Sequence, residues 1–211
     1  MASRTTPSSS TSTSTSTSTS TTTPVSTSNL LINGDAETES CEAASGATPP
    51  TGWSYNGTAT QVYYNNTYAD QDFTDPGPSN RGNCYFYGQN TGNSAMWQYV
   101  NMTSTINAVL IDSHTVYYNF SAWLGGWLGD PDYAQVSLTF FNQTNQAVGS
   151  TVTLGPVTHK DRADITSLLY READGLVPVG ARSFLVSVRI TRIAGLMADD
   201  DVDNIAFYLH Q

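Results

Sequence analysis

Lysine is almost missing from this chain: Lys160 and seven arginines stand against 18 acidic residues, for a net charge of −10 over 211 residues. A surface so poor in cations cannot neutralise a row of phosphates or anionic headgroups, which excludes nucleic acid and acidic membranes as partners. No run of 18 apolar residues occurs, so membrane insertion through a helix is excluded too. The three histidines, His114, His159 and His210, are scattered and fit no ligand spacing. HExxH, GxSxG, P-loop and GxGxxG patterns are all missing. The carboxylates gather near the termini and strand ends, and no nucleophile has a recognisable base, so the chain is not expected to be an enzyme. A glycosidase carboxylate pair would leave no fixed spacing to find. The opening MASRTTPSSS has no apolar core of a secretory signal, which predicts a piece of a longer precursor or a chosen boundary.

What is there begins with serine and threonine. Of the first 28 residues 22 are Ser or Thr, and residues 10–21 alternate strictly as STSTSTSTSTST. Such a leader cannot build a core. It reads as a solvated linker, as a mucin-like stalk carrying O-glycans, or as an extended strand that docks elsewhere with Thr on one side and Ser on the other. The remainder, 29–211, is the size of one all-β domain.

Three compositional signals point to a secreted or cell-surface protein. Asn-x-Ser/Thr acceptor sites occur at Asn56, Asn65, Asn101, Asn119 and Asn142. The two cysteines, Cys41 and Cys84, are an even number that a single disulfide would use up, with two buried free thiols as the alternative. Ser, Thr, Asn and Tyr abound where Lys does not.

From Asn29 onward, short β-type runs alternate with Gly, Pro, Asn and Asp clusters, which predicts an antiparallel β-sandwich, a jelly roll of about ten strands with an extended N-terminal tail. Three runs alternate cleanly. Val116, Tyr118, Phe120, Ala122 and Leu124 point inward while Tyr117, Asn119, Ser121 and Trp123 point out. Ala134, Val136, Leu138 and Phe140 are inward in the second, and Phe184, Val186, Val188 and Ile190 in the third, with Arg189 and Thr191 facing solvent. Weaker strands are expected at 30–32, 60–64, 84–87, 96–102, 151–154, 168–171 and 205–209. Turns are expected at 75–83, 124–132 and 174–180, and a turn or two of helix at 159–169.

The opening NLLINGDAET, the PPTGW at 49–53 and the closing DVDNIAFYL at 201–209 resemble the two ends of galactose-binding-like jelly rolls, the fold of many calcium-containing carbohydrate-binding modules. The resemblance implies a structural Ca²⁺ where the first and last strands meet, held by the Gly34 carbonyl with Asp35, Glu37 and Asp203. Carboxylates brought together from both termini would repel unless a cation joined them. Here Ala36 replaces the family's aromatic, and Glu39 its glycine. The tract Asp199, Asp200, Asp201 and Asp203 adds acidic oxygens nearby; the alternative is that it is a solvated loop and Asp35 an N-terminal turn residue. The resemblance also implies sugar binding on aromatic platforms. Trp123, on the polar side of its strand, and Trp127, in a Gly-rich turn, are the candidates for exposed rings, whether for glycan or for a protein interface, while Trp53 and Trp97 are assigned to the core.

The reading that joins these observations is a non-catalytic extracellular glycoprotein that assembles with copies of itself through the Ser/Thr tail into a fibre or matrix. The alternative is a carbohydrate-binding module on a glycosylated linker. Assembly makes a definite prediction: deleting residues 1–28 abolishes polymers seen by electron microscopy or light scattering, and a monodisperse full-length monomer would count against it.

Overall fold

The computed structural model describes residues 26–211 together with Met1. The alternating tract at 10–21, and with it the expected docking and self-association of the tail, lies outside the described residues. Ten strands form the domain: β1 (Ser54–Asn56), β2 (Thr60–Tyr63), β3 (Cys84–Gln89), β4 (Asn93–Asn101), β5 (Tyr117–Gly126), β6 (Tyr133–Asn142), β7 (Ala147–Leu154), β8 (Ser167–Leu176), β9 (Ala181–Thr191) and β10 (Ala198–His210). They make two five-stranded antiparallel sheets, ordered β1-β4-β9-β6-β7 and β2-β3-β10-β5-β8. A β-sandwich is what alternating strands without intervening helices must form, because each sheet has one apolar face to cover.

The inward residues read from the alternation are all buried, from Val116 through Leu124, Ala134 through Phe140 and Phe184 through Ile190. Phe207 of β10 sits at the centre, 4.1 Å from the Phe184 ring of the facing sheet and 6.0–6.1 Å from Tyr118 and Phe140. Cys41 and Cys84 are joined in a disulfide, which ties the N-terminal segment to the start of β3 across 43 residues.

Several expectations change. Residues 30–32 are not a strand: Leu31 donates its N–H to Asn29 Oδ1, and Asn33 and Ala36 take positive φ of 50° and 57°, which turns the chain. The segment 159–169 makes turns rather than helix before β8 begins at Ser167; the α-helix present is the five-residue Ala108–Asp112, capped by Asn107, which follows a short 3-10 turn at Met102–Ser104. β5 and β8 run on into the expected turns, as far as Gly126 and Leu176. The acidic tract at 199–203 is not a solvated loop but the first half of β10, a central strand, with Asp200, Asp201 and Asp203 buried.

A second apolar cluster lies outside the β2-β3-β10-β5-β8 sheet. Val62, Tyr64, Tyr85 and Tyr87 are covered by the excursion of residues 64–83, with Ala69 and Met197 packed on them, so every residue of β3 is buried on both faces. Phe73 stacks on Tyr64 at 5.4 Å, and the Arg81 guanidinium lies 5.2 Å from the same ring.

Two substitutions measure how the fold is held. Phe207→Ala removes a ring from the centre of both layers and is expected to lower the unfolding free energy by about 3–5 kcal/mol. Replacing both cysteines by serine frees a 43-residue loop and is expected to cost about 4 kcal/mol, read from urea denaturation.

Candidate functional site

The excursion over β2 and β3 leaves the β10-β5-β8 half of the same outer face open, and there the surface hollows into a cleft of about 370 Å³. Strand register builds it. Trp123 on β5 pairs with Tyr170 on β8, their rings 5.5 Å apart and tilted by 53°. Two residues along, Ser121 pairs with Ala206 of β10, and these small side chains form the floor. Tyr208 lines the same hollow, and Asn29, Asp35, Asn80 and Asn204 rim it from the N-terminal segment, the excursion and β10. Tyr170 donates its hydroxyl to Glu172. Among the described residues, no arginine or lysine lines the cleft.

Trp123 therefore stands where the alternation placed it, but Trp127 does not join it: the ring is exposed in the β5–β6 turn and does not line the cleft. Trp53 is buried and donates its indole N–H to the Asn33 carbonyl. Trp97, expected in the core, is half-exposed. In β4 the inward set is Ser94, Met96 and Gln98, and the strand alternation turns Trp97 outward beside Tyr99, where both line a second groove of about 490 Å³ on the opposite sheet. Among the acceptor asparagines, Asn56, Asn65 and Asn101 are exposed. Asn142 is half-buried, its side-chain oxygen accepting N–H bonds from Thr144 and Gln146, and half-buried Asn119 pairs with Tyr208 on the cleft face.

The residues expected to hold a cation at the termini have other partners. The Gly34 carbonyl accepts the Ile205 N–H at 2.7 Å, and a side chain at Gly34 would collide with the Ile205 carbonyl. Glu37 Oε1 accepts the N–H groups of Asn83 and Cys84. Asp203 accepts the Tyr64 hydroxyl at 2.7 Å and the Asn204 N–H, and Asp35 is exposed at the cleft rim. Burial pushes the Asp203 carboxyl well above the usual carboxylate range, against the hydrogen bonds from Tyr64 and Asn204. Burial and then the Asp203 charge push the Tyr64 phenol up in turn.

A closer gathering of carboxylates among the described residues lies elsewhere, between the β5–β6 turn and the start of β10, and no spacing along the chain marks it. One oxygen each from Asp130, Asp132 and Asp199 lies within 4.8 Å of the others, a group with the composition to hold a metal ion. Asp132 is buried, and its carboxylate accepts the N–H groups of Ile193, Ala194 and Asp199. Asp199 accepts the Tyr87 hydroxyl, and burial raises its carboxyl. Asp201 accepts the Gln71 amide at 2.7 Å, and burial raises Asp70, Asp200 and Asp201 well above the ordinary range.

No protein-family model matches the sequence, and no curated protein matches it. Among solved structures, the second family 16 carbohydrate-binding module superposes with a TM-score of 0.50 at 18% identity, over 85% of this chain and 99% of its own. The enzymatically active domain of bacteriophage CBA120 tailspike protein 4 superposes with a TM-score of 0.51 at 16% identity, over 85% of this chain, which spans 21% of that chain's length. TmCBM61, solved in complex with β-1,4-galactotriose, gives a TM-score of 0.47 at 16% identity, over 87% of this chain and 98% of its own. The chain has the jelly-roll β-sandwich fold of carbohydrate-binding modules.

The Tyr64 hydroxyl is the sole hydrogen-bond donor to Asp203 Oδ2 among the described residues. Tyr64→Phe leaves that oxygen buried without a partner, so the chain is expected to lose about 1–3 kcal/mol of stability, and an unchanged denaturation midpoint would show the bond to be dispensable.

Proposed function

We propose that this chain is a non-catalytic carbohydrate-binding module that takes a neutral glycan into the β10-β5-β8 cleft. The observation that carries the reading is the tilted Trp123–Tyr170 pair beside a floor of Ser121 and Ala206. A pyranose has an apolar face that stacks on such rings and a rim of hydroxyls that needs short polar side chains around it. Asp35, Asn80, Asn204 and the Tyr208 hydroxyl supply that rim. With Asp35 at the edge and no cation among the described residues of the lining, a carboxylated or sulfated sugar would meet repulsion without a counter-charge.

The jelly-roll fold supports the same reading, since the fold is shared with carbohydrate-binding modules. The disulfide supports an oxidising, extracellular setting; in this reading residues 29–211 are the module and residues 1–28 the tether, with glycans on the exposed acceptors. The fibre-subunit reading depends on the tail, and nothing among the described residues favours it.

Binding is tested on arrays and by affinity electrophoresis in neutral and acidic polysaccharides. The chain is expected to bind a neutral glycan, and Trp123→Ala to weaken it about ten-fold or more at an unchanged melting temperature. Retention of wild-type affinity by Trp123→Ala, or binding confined to acidic glycans, would overturn the reading.

A further inference from the structure

The outward face of β4 carries Trp97, Tyr99 and Asn101 in succession, at steps of about 6.6 Å along the strand. β1 pairs with residues 95–97 only, so residues 98–101 have a neighbouring strand on the β9 side and an open edge on the other. The second groove lies along that edge. Leu30 and Ile32 wall it, held there because Gln98 accepts the Ile32 N–H and donates to the Ile32 carbonyl. Ile32 is 63% exposed and Tyr99 53%, and among the described residues the lining holds no charged side chain. An apolar hollow floored by open rings is a surface that a ligand or partner covers.

The groove contains an acceptor for its own cover. Asn101 lines it and begins Asn101-Met102-Thr103, an Asn-x-Thr site. The Thr103 N–H and hydroxyl both donate to Asn101 Oδ1, and Asn101 Nδ2 has no hydrogen-bond acceptor among the described residues. None of the other four acceptor asparagines lines this groove.

We propose that Asn101 carries an N-linked glycan whose inner sugars lie back along β4, stacked on Tyr99 and then Trp97. The inference rests on the reading that exposed acceptors are glycosylated, and it is independent of what the Trp123 cleft binds. The donor is a lipid-pyrophosphate-linked oligosaccharide, transferred by a host enzyme. The bond from Nδ2 to the anomeric carbon forms, the bond from that carbon to the phosphate oxygen breaks, Nδ2 loses one proton to solvent, and the lipid pyrophosphate leaves. The innermost sugars of such a glycan are uncharged N-acetylglucosamines, each with an apolar pyranose face that suits a neutral, ring-lined groove. Strand parity directs them, because Asn101, Tyr99 and Trp97 share one face. The Tyr99 hydroxyl donates to Asn145 Oδ1 at 2.9 Å, so its ring is fixed before a sugar arrives. Ser54 and Ser104 offer hydroxyls to the sugar rim.

The test secretes the full chain from a eukaryotic host and compares it with Thr103→Ala, which removes the acceptor signal and keeps the Asn101 side chain, and with Asn101→Gln. Peptide mass spectrometry is expected to find N-acetylhexosamine on Asn101. The glycosylated chain is expected to melt about 2–4 °C above either variant, after subtraction of the direct effect of each substitution, measured on disulfide-bonded protein made without glycan in a bacterial host. Trp97→Ala is expected to abolish that difference. Hydroxyl-radical oxidation of Trp97 is expected to be several-fold slower in the glycosylated chain. An unmodified Asn101 on a chain glycosylated elsewhere, or a modified Asn101 with no change in melting temperature or Trp97 oxidation, would overturn the proposal. So would binding of a free glycan by the glycosylated chain that Trp97→Ala abolishes. A chain without glycan at any acceptor would remove the glycoprotein reading as well, whereas loss of glycan binding in the Trp123 cleft with the Asn101 glycan seated would overturn the cleft alone.

Discussion

Strand β10 must lie in the middle of its sheet, hydrogen-bonded to β3 on one side and β5 on the other, and four of its first six residues are aspartates. A central strand cannot turn its side chains to water on demand, so carboxylates on it have to be met by partners brought from elsewhere. Much of the irregular structure does that. The excursion of residues 64–83 brings Tyr64 to Asp203 and Gln71 to Asp201, while Tyr87 reaches Asp199 from β3. The β5–β6 turn, by contrast, adds two more carboxylates, Asp130 and Asp132, and Asp132 pins the 193–199 segment by accepting its backbone N–H groups.

Meeting those charges also divides the outer face of one sheet. The β2-β3 half is roofed, with its tyrosines turned from surface rings into a second core. The β10-β5-β8 half stays open, and the aromatic side chains there remain available to a ligand. One face thus serves two purposes, with the acidic first half of β10 under cover and its second half forming cleft floor.

The strands were legible wherever strict alternation ran for five or more residues, because burial on one face leaves a period of two that nothing else imitates. The three clean runs, about Phe120, Leu138 and Val186, are buried as read. Trp97 differs from its expected place in the core because of strand parity: Met96 and Gln98 take the inward positions, and their neighbour has to face out. The acidic tract was misread for a different reason. Charge density in sequence signals solvent, and what buries Asp201 and Asp203 comes from residues 130 and 139 positions away, Gln71 and Tyr64, which carry no local mark of the pairing. The cleft was half legible: the outward position of Trp123 follows from its strand, whereas its partner Tyr170 follows from the β5–β8 register.

The irregularity between Asp203 and Ala206, where Asn204 takes a positive φ of 48°, shifts the phase of β10 by one residue. Val202 faces the core before it, and Ile205, Phe207 and Leu209 do so after it. A strand with unbroken alternation would have put Ile205, Phe207 and Leu209 on the same side as Asp201 and Asp203. This strand is therefore sensitive to its length as well as its composition: a deletion of one residue at 204 would exchange inside for outside over one whole half, with every remaining side chain unaltered.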